Sequence, residues 1–202
     1  MEVSVRSKLS FFSYIFLAFT GLLFCSAAIA EQKIILTDDV DRYEIGKYIQ
    51  YLVDANNNFT IDDVLQKSNE FIDSKDDVPN FGYTDAAYWI KIKYEYKTDL
   101  LLDKKRYAIE VFYPLLDNIE AYQKDRFGNY QISRRGDSQP FYYRSPLYRN
   151  HIIKFDAAPN EPDIIYLKFQ TKGSMRLSLH LLSDDHLIEH ISHVELLYGI
   201  GF

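Results

Sequence analysis

The amino-acid sequence predicts a mainly β protein that folds as a β-sandwich, with one short inserted helix and a second helix at the C-terminal end. The prediction rests on three observations. Aromatic residues make up 16% of the 202 residues against only 8 glycines, and flat rings suit a pleated, half-buried surface. At least seven short segments alternate apolar and polar residues, the period of a strand with one buried face. Turn sequences separate these segments, as in sandwiches and barrels.

The first thirty residues form a separate unit with the features of an export signal. Arg6 and Lys8 precede an uncharged run over residues 9–30 that ends in Ala28-Ile29-Ala30. A basic start, an apolar middle and small residues before the cleavage point are what signal peptidase requires, so residues 1–30 are interpreted as a signal peptide. An uncleaved anchor is the alternative, because about 20 apolar residues span a bilayer. Both interpretations place the rest of the chain outside the cytoplasm.

The strand prediction is clearest over residues 88–96. Tyr88, Ile90 and Ile92 fall on one face of this segment, and Trp89 and Lys91 fall on the other. Trp89 is expected on a second buried face of the sandwich, because a strand so rich in large side chains suits an interior position. Further strands are predicted at 107–112, 119–123, 130–133, 152–155, 164–171 and 175–182.

Two helices interrupt the alternation. Thr60 and Asp63 have the spacing of a capping pair, and apolar residues then follow at helical spacing as far as Ile72, so a short helix is expected to pack on a sheet edge. The second helix is predicted to begin near Ser183, with Leu187 and Ile191 on one face. It leads into an increasingly apolar end of the sequence over residues 196–202.

Composition and motifs argue against several classes of function. The net charge of −6 offers no basic excess for nucleic acid, and no nucleophile elbow or glycine-rich phosphate loop occurs. His186 and His190 form an H-x-x-E-H pattern, which we interpret as the polar face of a surface helix because a third ligand for zinc is missing. Asp54-x-Asn56-x-Asn58 resembles the start of a calcium loop but lacks its later glycine and glutamate, so an Asn-rich turn is favoured. No cofactor, metal ligand or catalytic residue is predicted.

The most site-like segment runs from Gly136 to Arg144. Exposed aromatic rings can stack on a sugar ring, while Asp and Arg side chains form hydrogen bonds with hydroxyl or carboxylate groups. An irregular strand connection with its rings in the core is the alternative interpretation. The predicted ligand-binding residues are Asp137, Tyr142, Tyr143 and Arg144.

Several blocks of the sequence, in order, resemble one known family. Asn80-Phe81-Gly82-Tyr83-Thr84-Asp85-Ala86-Ala87-Tyr88-Trp89-Ile90 is similar to the signature stretch of the extracellular type 2 domain of seven-transmembrane receptors with diverse intracellular signalling modules (7TMR-DISM). Residues 110–122, 136–144 and 165–181 resemble later blocks of that family. The resemblance covers residues 34–202. Ser178 and Leu182 depart from the family pattern, where Pro and Trp are common.

The resemblance implies a jelly-roll sandwich akin to carbohydrate-binding modules, followed by seven membrane helices and a cytoplasmic kinase or diguanylate cyclase. We therefore expect residues 31–183 to form a periplasmic sensor domain, and residues 184–202 to form a helix that leads into a missing transmembrane region. The chain is expected to bind a small molecule such as a carbohydrate without catalysis, to be membrane-associated in the full-length receptor, and to pair as a homodimer. A secreted enzyme, either a metal-dependent hydrolase or a glycosidase, and a structural or dimerisation module are the alternatives.

Overall fold

Two β-sheets pack face to face in the part of the chain that the structure describes. This computed structural model describes residues 32–100, 104–137 and 150–199. Both sheets contribute side chains to one continuous apolar core. The predicted β-sandwich is confirmed.

The larger sheet is built around its longest strand. In order across the sheet, its strands are β4 (Ile72–Asp73), β3 (Ile49–Asp54), β6 (Ala87–Tyr96), β11 (Pro162–Gln170), β8 (Asn118–Lys124) and β9 (Tyr130–Arg135), and β1 (Ile34–Leu36) pairs in parallel with the end of β6. All the other pairings in this sheet are antiparallel. Every residue of β6 is buried, because β6 has strands on both sides and packing on both faces.

The smaller sheet covers one face of the larger one. Its strands, in order, are β10 (His151–Ala157), β7 (Lys105–Val111), β13 (Leu179–Ser183) and β2 (Arg42–Glu44). A separate two-stranded ribbon joins β5 (Asn80–Tyr83) to β12 (Ser174–Arg176). The predicted single strand over residues 175–182 is therefore wrong. The chain changes partner within it, because Leu177 N donates to Pro79 O while Phe112 N donates to Ser178 O.

Side chains alternate along β6 between two apolar environments. The face that carries Tyr88, Ile90 and Ile92 packs into the core between the sheets. On the opposite face, Trp89 is fully buried in a second apolar cluster outside the larger sheet. The expected interior position of Trp89 is confirmed. The buried members of this outer cluster are Leu52, Val64, Trp89, Tyr122 and Tyr166.

A short helix, α1 (Ile61–Gln66), covers this outer cluster. Its N-terminus is a capping box, in which Thr60 and Asp63 each accept a hydrogen bond from the backbone N–H of the other. Two details of the prediction are wrong. The helix ends at Gln66 and does not continue to Ile72, which pairs with Tyr51 in the sheet. The helix also packs on the face of the sheet and not on its edge, because its apolar side chains bury the ring of Trp89 there.

The C-terminal helix, α2 (Asp184–Gly199), follows β13 without a linker. Leu187 and Ile191 of α2 pack against Ala108 and Leu182 on the outer face of the smaller sheet. The small side chain of Ala108 leaves room for the helix to approach the sheet. The second predicted helix is therefore present and docked at its N-terminal end.

Candidate functional site

A polar pocket of about 260 Å³ lies on the outer face of the larger sheet. We call it the outer-face pocket. The turn between β3 and α1 forms one wall, and the strands β8, β9 and β11 supply the rest. The polar residues that line it are Asn57, Asn118, Glu120, Arg134, Lys168 and Gln170.

Strand register brings these residues together from distant parts of the sequence. Lys168 lies opposite Glu120, and Glu120 lies opposite Arg134, so the three form one row across β11, β8 and β9. Gln170 and Asn118 form the next row. Residues two apart on a strand point to the same face, and residues opposite each other in antiparallel strands come within about 5.5 Å. Three strands therefore present five polar side chains on one patch of the sheet.

The wall of the pocket depends on a buried carboxylate. Asp54 is fully buried at the end of β3, and its two carboxylate oxygens accept hydrogen bonds from Asn58 N at 3.0 Å and Phe59 N at 2.9 Å. The segment interpreted as an Asn-rich turn is a turn held by this side chain. Asn57 lies within it with φ of +51°, in the left-handed region that asparagine tolerates better than most residues.

Lys168 is held between the turn and the outer cluster. Its Nζ donates to Phe59 O at 3.4 Å, lies 3.8 Å from Asp54 Oδ2, and sits 5.2 Å from the centre of the Trp89 ring. Only 15% of the Lys168 side chain is exposed. The cation is thus compensated by a buried anion, which is the condition under which burial of a charge is tolerated.

The second ion pair of the pocket joins Glu120 to Arg134. Arg134 Nε donates to Glu120 Oε1 at 2.8 Å, and the Tyr122 hydroxyl donates to Glu120 Oε2 at 2.7 Å. Burial alone would raise the pKa of Glu120, but these two hydrogen bonds outweigh it and hold the pKa below its usual value. Burial and the same hydrogen bond raise the pKa of Tyr122. Glu120 is therefore an anion and Tyr122 a neutral donor at neutral pH.

Two buried polar atoms near the pocket have no hydrogen-bond partner among the described residues. They are Asn57 Oδ1 and Trp89 Nε1. Buried polar atoms in native proteins are almost always paired with protein groups, water or a ligand. Asn57 lines the outer-face pocket, so its acceptor is available to a molecule that enters.

The predicted ligand-binding segment begins at the same end of the sheet. Asp137 is exposed, and its N–H donates to Leu116 O at 2.9 Å. The other three predicted residues, Tyr142, Tyr143 and Arg144, lie outside the described residues. Gly136, which precedes Asp137, has φ of +120° and approaches the Asp117 carbonyl so closely that a Cβ there would lie 2.3 Å from its oxygen. After β9 the chain thus passes close to the backbone that leads into β8, at a position that only glycine can occupy without strain.

The outer-face pocket was not predicted from the sequence, although the sequence contains a signal for it. Polar residues recur two apart in the strands β8 and β11, at Asn118 and Glu120 and at Lys168 and Gln170. This pattern indicates two polar positions on the solvent-facing side of each strand. Only the strand order shows that the pairs are neighbours.

The histidine pair of α2 lies away from this pocket, on the helix that packs against the smaller sheet. The rings of His186 and His190 stack with their centres 6.5 Å apart and 13° between their planes. Within residues 32–100, 104–137 and 150–199, no group of three or more His, Cys, Asp or Glu residues is arranged to hold a metal ion. Over the same residues, no helix combines the length and the apolar character needed to cross a membrane.

The part of the chain that holds the fold and the pocket matches a known protein family. Residues 46–183, more than half of the chain, match the family described as 7TMR-DISM extracellular 2. This range runs from the turn before β3 to the end of β13, so it includes the whole outer-face pocket. No curated protein matches the sequence. The chain belongs to the 7TMR-DISM extracellular 2 family, whose members are extracellular sensor domains of seven-transmembrane receptors.

Proposed function

We propose that this chain is the non-enzymatic ligand-binding domain of a bacterial membrane receptor, that it acts in the periplasm, and that its ligand is a small molecule of the carbohydrate class. The observation that carries the proposal is the match of residues 46–183 to an extracellular sensor family. A sensor must bind something outside the cell and alter the part of the chain that leads to the membrane. Features of the fold support both requirements.

The segment after β9 supplies one set of ligand-binding residues in this proposal. Asp137 and Arg144 would form hydrogen bonds with ligand hydroxyls, and Tyr142 and Tyr143 would stack against the ligand ring. Asp137 is exposed at the end of the sheet where the outer-face pocket lies.

The start of α2 is tied to the smaller sheet in a way that suits signal transmission. Ser183 Oγ donates to Asp41 Oδ1 at 2.7 Å, and Lys154 Nζ pairs with Asp184 Oδ1 at the same distance. Leu187 is buried against the sheet. A change in the smaller sheet would therefore move the first turns of α2, the helix proposed to lead toward the membrane. A homodimer is part of the same proposal.

Export is the second part of the proposal. The basic start and Ala28-Ile29-Ala30 support cleavage after residue 30 in the periplasm. N-terminal sequencing of the protein recovered from the periplasm of an expressing bacterium should begin at Glu31. An intact Met1 chain in the membrane fraction would show an uncleaved anchor instead.

A thermal-shift screen tests ligand binding. The purified chain is heated with neutral sugars, sugar acids and small organic acids, and a ligand at 100 times its Kd should raise stability by about 2.7 kcal/mol. Arg144→Ala should leave the melting temperature of the free protein within a few degrees and reduce the shift caused by the ligand. Arg126→Ala, in the exposed turn at the far end of β8, is the matched control. It should reduce neither the melting temperature of the free protein nor the shift caused by the ligand. The absence of any stabilising compound would contradict the proposal.

A further inference from the structure

We infer that the outer-face pocket is itself a ligand site and that it selects a neutral molecule rich in hydroxyl groups, no larger than about one sugar ring. The inference deepens the proposed function and rests on it. It assigns binding to Asn57, Gln170 and their neighbours, whereas the proposed function draws on residues 137–144. The two can therefore fail separately.

Charge balance argues for a neutral ligand. The two cations that line the pocket, Lys168 and Arg134, are each paired with a carboxylate, Asp54 and Glu120 respectively. An anionic ligand would have to compete with these carboxylates, and its displacement of either pair would leave a buried or half-buried charge without its partner. A neutral ligand leaves both pairs intact.

The unpartnered oxygen of Asn57 argues for a ligand that donates hydrogen bonds. Asn57 Oδ1 is buried and has no partner among the described residues. A ligand hydroxyl donates a hydrogen bond and also accepts one, whereas an ionised carboxylate only accepts. A ligand hydroxyl placed against Asn57 can donate a hydrogen bond to Oδ1. A carboxylate placed there would leave Oδ1 without a hydrogen bond and would be repelled by it.

The other lining groups fit the same chemistry. Asn118 and Gln170 carry amides, each with both a donor and an acceptor, so they match hydroxyls in either orientation. The volume of about 260 Å³ falls below the ~300–1,000 Å³ of pockets that enclose drug-sized molecules. Trp89 is fully buried beside Lys168 and offers no free face for stacking. Recognition in the pocket is therefore by hydrogen bonds.

Matched sugars test the charge selection. The purified chain is titrated with glucose and galactose, and with glucuronate and galacturonate, which carry a carboxylate on the same two rings. Binding is measured by calorimetry and by the fluorescence of Trp89, the only tryptophan in the sequence, which contacts the pocket through Lys168. At least one neutral sugar should bind at least tenfold more tightly than the sugar acid of the same ring. Tighter binding of the sugar acids would overturn the inference.

Two variants test the location. Asn57→Gly removes the acceptor and keeps a residue that tolerates positive φ, and Gln170→Ala removes an amide from the opposite wall. Each should weaken binding of the neutral sugar about 3- to 10-fold, the usual range for one hydrogen bond. Asn56→Gly, in the same turn but exposed and outside the pocket, is the matched control and should leave the affinity unchanged. Circular dichroism of each variant checks that it is folded.

The outcomes separate this inference from the proposed function. If Arg144→Ala abolishes sugar binding while Asn57→Gly and Gln170→Ala leave it unchanged, the proposed function stands and the pocket is not the site. If only the sugar acids bind, the proposed carbohydrate ligand stands and the selection of a neutral molecule is refuted. If only small organic acids bind, the carbohydrate class proposed for the ligand is refuted as well. If no compound binds, both proposals fail.

Discussion

Replacement of Trp89 tests whether the outer cluster is a second core of the domain. The side chain is fully buried, with its ring 5.0 Å from that of Tyr122, centre to centre, and 5.2 Å from Lys168 Nζ. Truncation of a buried Trp to Ala costs about 3–5 kcal/mol, because apolar contacts are lost and a cavity remains. Since small domains are stable by only about 5–15 kcal/mol, Trp89→Ala should remove a large part of the free energy of unfolding.

A conservative substitution at Trp89 should behave differently. Trp89→Phe keeps an aromatic ring against Tyr122 and removes Nε1, which has no hydrogen-bond partner among the described residues. Removal of an unpaired buried donor relieves a desolvation cost, and the cavity left by Phe is smaller than that left by Ala, so this variant should lose clearly less free energy of unfolding than Trp89→Ala.

Urea unfolding followed by circular dichroism measures both changes without dependence on tryptophan fluorescence. Tyr83→Ala, at a ring that is 86% exposed, is the matched control and should change stability by no more than about 0.5 kcal/mol. A loss of less than about 1 kcal/mol in Trp89→Ala, or equal destabilisation of the Phe and Ala variants, would show that the outer cluster is not a second core.

Three further predictions concern the acid stability of the fold, the close approach of Gly136 to Asp117 and the histidines of α2. Hydrogen bonds from Tyr96, and then from Lys105 and Thr98, lower the pKa of Asp38 from 3.8 to about 2. The stability contributed by this carboxylate is complete above about pH 4 and is lost as the pH falls toward 2, so the melting temperature of Asp38→Asn should fall less steeply over that range than that of the wild type. An equal slope would contradict this prediction. Gly136→Ala places a Cβ 2.3 Å from Asp117 O and should lower the free energy of unfolding in urea more than Gly128→Ala does. Gly128 is the control because it also has a positive φ, of +85°, but a Cβ there would have nothing within 4 Å. Equal losses of stability in the two variants would show that the backbone around Gly136 can move to make room for a Cβ. His186→Ala combined with His190→Ala should leave the melting temperature within a few degrees, and a stoichiometric zinc ion lost on this double replacement would refute the surface interpretation.

The sequence was sufficient to predict strands that are long enough to show their period. The ten residues of β6 alternate without interruption, so one face could be assigned to the core and Trp89 to a second buried face. The three-residue strands β1 and β2 could not be predicted in this way, because three residues do not establish a period of two. Their positions are fixed by pairing with strands far away in the sequence, such as Ile34 with Tyr94.

The outer-face pocket could not be located from the sequence for a related reason. Asn57 and Lys168 lie more than a hundred residues apart and meet only because β3 and β11 both pair with β6. The row that joins Lys168, Glu120 and Arg134 depends on the register of two strand pairs. Local patterns predict which residues face outward, but the order of the strands decides which outward residues become neighbours.

Hydrogen exchange tests whether this domain senses a small molecule and transmits the binding event through α2. The amides of α2 are measured in the purified chain with and without a saturating concentration of the compound that raises the melting temperature most. We expect changed protection from exchange both in the turn that contains Asn57 and in the first turns of α2, around Leu187, which is buried against the smaller sheet. Ligand binding that leaves the exchange of α2 unchanged would contradict transmission through this helix.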